Sequence, residues 1–263
     1  MYCDSDLTKL YERAIAHYQD YRVNRWVVPN SIPIVYFGNL EGYRDSALKI
    51  VTVGLNPSGV EFDEDRFGLE VKTSLLPDTL ERALCNYFRD NPYTDWFDRA
   101  FETILQPLGA SYYEKIYPGR TPRRWTWKPQ QNVALHTDIC SPLATAPTWS
   151  RLPKEAGKVK EELWAWGFPF WKDLIAALRP DIVLMSVGRP CLTKLGTLAW
   201  RQFNPLGAAT KPKQEMQIAR FGNTHIVWGV ANVRPFLNLS YEERPAAAQT
   251  ILAQPELEAL TTH

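Results

Sequence analysis

Three apolar runs in this chain end in polar residues whose types can do chemistry. Ile50-Val51-Thr52-Val53 stops at Gly54-Leu55-Asn56-Pro57-Ser58; a second run gives way to His136-Thr137-Asp138; a third opens into Ala231-Asn232-Val233-Arg234-Pro235-Phe236. An Asn set between Gly and Pro is a rigid amide whose oxygen can hold a water. An ionised Asp accepts hydrogen bonds and donates none. The third loop puts an amide, a guanidinium and an aromatic ring within a few residues. Each also has a plainer role: Asn56 as an Asx-turn ahead of Pro57, Asp138 as a cap for the next segment, and Phe236 as loop packing. No Lys falls in these stretches, which argues against Schiff-base chemistry. His136 and His225 lie near strand ends and read as structural.

A fourth stretch, residues 115–131, reads KIYPGRTPRRWTWKPQQ. Arg120, Arg123, Arg124 and Lys128 interleave there with Trp125 and Trp127. Cations for phosphate and rings for stacking are what a nucleic-acid groove uses; a solvated loop pinned by two tryptophans is the competing reading. Lys211, Lys213 and Arg220 form a second basic stretch.

These residues need elements to position them. Leu7, Leu10, Tyr11, Ala14, Ile15, Tyr18 and Tyr21 follow helical spacing and predict a helix over 5–22. Leu48–Val53, Val133–Thr137, Ile182–Val187 and His225–Val230 are short β-branched runs, apolar almost throughout, as strands buried on both faces of a parallel sheet are. Helical stretches are expected over Asp78–Arg89, Asp95–Leu108, Lys158–Leu178, Cys191–Phe203 and Tyr241–Leu260. Alternating helix and strand predicts a three-layer α/β/α sandwich in a single domain over 1–263. In such sheets ligands bind at the carboxyl ends of the strands, where the three polar stretches converge.

Composition narrows the class. The 263 residues are 45% hydrophobic and 22% charged, ample for a sizeable core. The net charge of +1 gives no global attraction for polyanions, so nucleic-acid binding has to be a local patch. No apolar run approaches the roughly 20 residues that span a bilayer. Without a leader pattern, the expectation is a cytoplasmic protein with no membrane partner. Cys3, Cys85, Cys140 and Cys191 are scattered, which predicts free thiols, no metal and no cofactor.

GLNPSG, HTDICSPL and GVANVRPFL, each after a strand and in this order, resemble the uracil-DNA glycosylase superfamily. The resemblance covers about Leu48 to Leu237. GLNPSG is most similar to the mismatch-specific and single-strand-selective monofunctional branches. It implies an α/β/α sandwich on a four-stranded parallel sheet. It also implies a monomer that flips a base from DNA, cuts its N-glycosidic bond and hands the abasic site to downstream nucleases.

The resemblance places Asn56 as holder of the attacking water, with Gly54 and Ser58 beside it. Asp138 becomes the base reader, and Phe67, or else Phe62, the ring that stacks on the base. Asn232 stands where the family has His, Phe236 at the position that fills the gap in the duplex, and Arg234 in the same loop. Asp138 departs from the family Asn. An ionised carboxylate cannot donate to uracil O4, but it accepts from the N4 amine of cytosine. Ser58, where the strict uracil branch has Tyr, leaves the base C5 side open. Plain cytosine has to be spared, so the expected substrate is a 5-modified cytosine, hydroxymethylated or glucosylated as in some phage DNA, and the expected role is antiviral defence. Repair of uracil or other deaminated bases, and DNA binding without catalysis, are the alternatives.

Overall fold

The computed structural model describes residues 5–62, 66–68, 74–90, 92–93, 95–114, 128–206, 216–229 and 239–261. The strands are β1 (Ile50–Gly54), β2 (Ala110–Ser111), β3 (Asn132–Val133), β4 (Leu135–Asp138), β5 (Ile182–Met185), β6 (Arg201–Phe203), β7 (Met216–Phe221) and β8 (Thr224–Gly229). Six form the central sheet in the order β4-β1-β5-β8-β7-β6, and β2 pairs with β3 apart from it. β1, β5 and β8 run parallel, with Ile50 opposite Ile182 and Ile182 opposite His225. Every residue of β1 and β5 is buried, which is why both read as unbroken apolar runs.

Three of the four expected strands are present as single strands, while the expected strand over Val133–Thr137 is split between β3 and β4, which belong to different sheets; the central sheet is also larger than expected and mixed. β7 lies antiparallel to β8, and β6 antiparallel to β7. Gly222, at φ +61°, makes the tight turn between β7 and β8 at a dihedral that glycine adopts without strain. The expected helix over Cys191–Phe203 is also corrected. The helix covers only Arg189–Lys194. Gly196, at φ +84°, follows in the left-handed conformation that ends helices. The chain then becomes the edge strand β6, whose exposed Arg201 and Gln202 discourage further pairing.

The chain divides into two compact units, each assembled from three segments: Met1–Asn39, Gly54–Tyr93 and His136–Leu178 in the first, and Leu40–Val53, Thr94–Leu135 and Arg179–His263 in the second. The first unit contains α1 (Ser5–Tyr21), which packs on the helices Pro77–Asp90 and Gly157–Leu178. The face of α1 is the one its spacing predicts: Leu7, Leu10, Tyr11, Ala14 and Tyr18 are buried.

In the second unit the expected helix over Asp95–Leu108 is broken into an α-helical start, a π-helical stretch at Asp98–Glu102, a short α-helix at Thr103–Leu105 and a 3-10 turn. A side chain inserted into the hydrogen-bond ladder accounts for this. The buried guanidinium of Arg244 donates to the Arg99 carbonyl at 2.8 Å and to the Thr103 hydroxyl.

Helix Gly157–Leu178 passes over the end of the second polar stretch at Gly167. A Cβ there would lie 2.1 Å from the Cys140 carbonyl oxygen and 2.9 Å from the Ser141 Cα. These atoms are backbone, so no flexible side-chain tip can give way. In an open helix, Gly→Ala gains about 1 kcal/mol. Overpacking of this kind costs about 1–3 kcal/mol or more. Gly167→Ala is therefore expected to lower stability by about 2 kcal/mol, read as a lower urea midpoint; an unchanged or raised midpoint would contradict this packing.

Candidate functional site

From β1 the chain visits β4 on one side of the sheet before β5 on the other, so the strand order reverses at β1. Open α/β sheets bind ligands at the carboxyl ends of strands beside such a switch. The carboxyl end of β1 is Gly54, followed by Leu55-Asn56-Pro57-Ser58, all in the first unit. β4 ends at Asp138. Past the ends of these strands the Ile139 N–H donates to the Gly54 carbonyl at 3.1 Å and the Cys140 N–H to the Leu55 carbonyl at 2.8 Å. Two polar stretches some eighty residues apart are thereby held side by side.

Gly54 faces Asp138 and His136 directly. A Cβ on Gly54 would lie 2.7 Å from Asp138 Oδ1 and 3.1 Å from His136 Nε2. Only the absent side chain lets the carboxylate sit there. The side chains of His136 and Asp138 are 3% and 4% exposed, with Nε2 and Oδ1 3.7 Å apart.

Asn56 is clamped by its amide nitrogen. Nδ2 donates to Thr145 Oγ1 at 3.1 Å and to the Leu143 carbonyl at 3.4 Å. A carbonyl only accepts, so the nitrogen faces Leu143 and the amide oxygen turns away from both partners. Thr145 is buried and pairs with Ser58 and with Val27 in isolated bridges. Ser58 accepts the Val60 N–H at 3.4 Å on its hydroxyl, which turns the chain into the 3-10 turn Gly59–Phe62.

That turn carries Glu61 and Phe62. The rings of Phe62, Phe67 and Tyr87 form a run: Phe62 on Phe67 at 5.4 Å and 29°, Phe67 on Tyr87 at 5.2 Å and 27°. Phe67 is the middle ring and is only 6% exposed. With its neighbours on both faces, it leaves Phe62, the half-buried outer ring, better placed to receive another planar group.

Glu61 is 4% exposed. The Tyr87 hydroxyl donates to its Oε2 and in turn accepts the Tyr93 N–H at 3.0 Å. Burial pushes the Glu61 carboxyl from 4.5 up to about 8. The Tyr87 hydrogen bond and the Arg66 charge pull it back, and the Asp138 charge raises it further. At neutral pH Glu61 therefore carries a proton.

Of the residues the sequence singled out, Gly54, Asn56, Ser58, Phe62, Phe67 and Asp138 come together in the first unit. Asn232, Arg234, Phe236, Arg120, Arg123, Arg124, Trp125 and Trp127, with Lys211 and Lys213, lie outside the described residues. Lys128 is described and exposed; its backbone N–H donates to Gln106 Oε1 at 3.0 Å in the second unit. His225 is the second residue of β8, and burial lowers its pKa.

Sequence reasoning missed Glu61, Tyr87 and Thr145 as members of the site. A Glu inside an apolar turn, Gly59-Val60-Glu61-Phe62, was the available signal for the first. Its partner is 26 residues away on a helix, a pairing that no periodicity encodes. Among the described residues, no group of three or more His, Cys, Asp or Glu side chains could hold a metal ion. No protein-family model matches this chain, and no curated protein matches it.

The raised Glu61 pKa has a consequence for stability. Below pH 4.5 the carboxyl is protonated in the folded and the unfolded chain alike. As pH rises from there to about 8, the unfolded chain releases a proton that the folded one keeps, so stability falls across that window and levels off above it. The shift corresponds to roughly 5 kcal/mol at 1.36 kcal/mol per pH unit. Glu102, buried in the second unit and raised to about 7, adds a slope of the same sign that ends at lower pH. Denaturation at a series of pH values should show Glu61→Gln losing the fall between about 7 and 8 while keeping the Glu102 part; a slope there equal to that of the unsubstituted protein would contradict a protonated Glu61.

Proposed function

We propose that this chain is a monofunctional DNA glycosylase. It would flip a cytosine carrying a bulky 5-substituent, hydroxymethyl or glucosylated, hydrolyse its N-glycosidic bond and leave an abasic site. The role proposed is defence against phage whose DNA carries such bases. The observation that carries the reading is the buried Asp138 carboxylate, packed against the bare backbone of Gly54 beside a clamped Asn56.

Each part has a task in that reaction. Breaking an N-glycosidic bond passes through an oxocarbenium-like sugar, so a positioned water matters more than a strong nucleophile. The Asn56 oxygen, set by Thr145 and Leu143, holds that water. Asp138 accepts from the N4 amine of the base, as carboxylates do with cytosine. Phe62, the outer ring of the Phe62–Phe67–Tyr87 run, stacks on the base face. Flipping places the base where these groups reach atoms that are hidden within a duplex. The order β4-β1-β5-β8 and the positions of the first two polar stretches support the uracil-DNA glycosylase likeness, whereas the antiparallel β7 and β6 go beyond the four-stranded parallel sheet it implies. DNA is the partner, with abasic-site nucleases acting afterwards.

The test uses DNA carrying uracil, cytosine, 5-hydroxymethylcytosine or its glucosylated form, with alkaline cleavage reporting abasic sites. Cutting confined to a modified cytosine is expected. Uracil-only cutting would make this a repair enzyme, and binding without cutting a non-catalytic member of the fold. Asn56→Ala should reduce cutting at least about 100-fold, within the range for removing one positioned catalytic group, while DNA affinity stays nearly unchanged. Asp138→Asn should lose activity on modified cytosine and gain some on uracil; unchanged base preference in that variant would remove Asp138 as the reader.

A further inference from the structure

We propose that Glu61 is a second catalytic residue of this site, delivering a proton to N3 of the departing base while Asp138 accepts from its N4 amine. The proposal rests on the glycosylase reading above. Its footing is the cluster of groups around Glu61.

Glu61 sits on the turn that follows Asn56-Pro57-Ser58 and immediately precedes Phe62. Tyr87, which donates to Glu61, stands against Phe37 with ring centroids 4.7 Å apart. Phe37 also lies 5.8 Å from the His136 ring, and His136 pairs with Asp138. The Glu61–Tyr87 pair and the His136–Asp138 pair thus flank one phenylalanine. The charged or titratable groups facing Glu61 are Tyr87, Arg66 and Asp138. None is placed to take its proton: Tyr87 donates to it, Arg66 is a cation, and the Asp138 charge adds to the burial that keeps the proton on Glu61.

The Watson–Crick edge of cytosine carries the N4 amine, a donor, beside N3, an acceptor. A base whose N4 amine is bound by Asp138 presents N3 next along the same edge, to the neighbouring carboxyl. An ionised Asp138 and a protonated Glu61 are the complement of that edge. Uracil, with O4 as acceptor and N3–H as donor, presents the reverse order.

The step balances without a further reactant. The C1′–N1 bond breaks and its electron pair goes to the base. The Glu61 proton moves to N3, so the base leaves neutral. The water held by Asn56 bonds through oxygen to C1′, giving the hydroxyl of the abasic sugar. The proton that water loses returns to the Glu61 carboxylate through solvent. Asn56, a weaker base than a carboxylate, suffices because departure of the base is assisted from the other side.

Single-turnover cutting of DNA containing 5-hydroxymethylcytosine or its glucosylated form, by the full chain at a series of pH values, tests this. The rate should fall with rising pH above about 8, where Glu61 loses its proton. Glu61→Gln should cut about 100- to 1000-fold more slowly, the range for removing a general acid, and lose that alkaline limb while keeping DNA affinity. Tyr87→Phe should move the limb to higher pH, because its hydrogen bond lowers the Glu61 pKa. Near-normal cutting by Glu61→Gln with the limb intact would overturn the proposal. Should that variant fail to fold, a limb left unmoved in Tyr87→Phe would overturn it instead. No cutting of any substrate by the unsubstituted protein would sink the glycosylase reading itself, and this proposal with it.

Discussion

The structure around the site depends on one close approach: an Asp138 carboxylate oxygen occupies space that any side chain at residue 54 would need. The neighbouring backbone is held in a register that permits it. The Gly54 and Leu55 carbonyls must meet the Ile139 and Cys140 N–H groups in one register, since a one-residue slip would turn Asp138 to the other face. The backbone after Asp138 is held down in turn by a helix that can lie on Cys140 only because residue 167 is also glycine. The site thus rests on two positions where a missing side chain lets backbone and carboxylate pack closely.

Two buried carboxyls in this chain show how similar burial can serve different ends. Glu102 is fully buried, but Ser111 Oγ donates to it at 2.5 Å, Gln106 Nε2 at 2.8 Å and the Tyr112 N–H at 3.2 Å. That network ties the broken helix to the neighbouring strand and satisfies the group where it stands, as buried polar networks must. Glu61 has the Tyr87 hydroxyl and sits within the influence of a second carboxylate at a strand end. A proton kept on a carboxyl by burial and by a neighbouring charge is the usual preparation of an acid for work near neutral pH. Both carboxyls are raised in this way, but Glu61 stands beside Asn56-Pro57-Ser58 and Phe62, whereas Glu102 is tied up by three donors away from that site.

Much of the fold was legible in the sequence. The face of α1 followed from helical spacing, and β1, β5 and β8 from their nearly unbroken apolar runs; the split of the second run into β3 and β4 did not. β6 and β7 were not legible. β7 alternates buried Met216 and Ile218 with half-buried Gln217, and no long apolar run marks it. The break in the helix after Asp95 was invisible for a different reason: Arg244, which inserts at Arg99 and Thr103, comes from more than a hundred residues away.

The sequence by itself determined which residue types stand at the ends of the strands: a Gly–Asn–Pro turn, an Asp in place of an amide, and aromatic rings close behind. Those are local facts, set by residue chemistry and the chain's own turns. Only the tertiary structure decided which of them share a site. It set Asp138 against Gly54, fixed the Asn56 amide through Thr145, put Phe62 on the outside of the ring run, and brought Glu61 to Tyr87. Each of these is a contact between segments distant in sequence, and its geometry depends on packing, which is decided once per fold rather than once per residue.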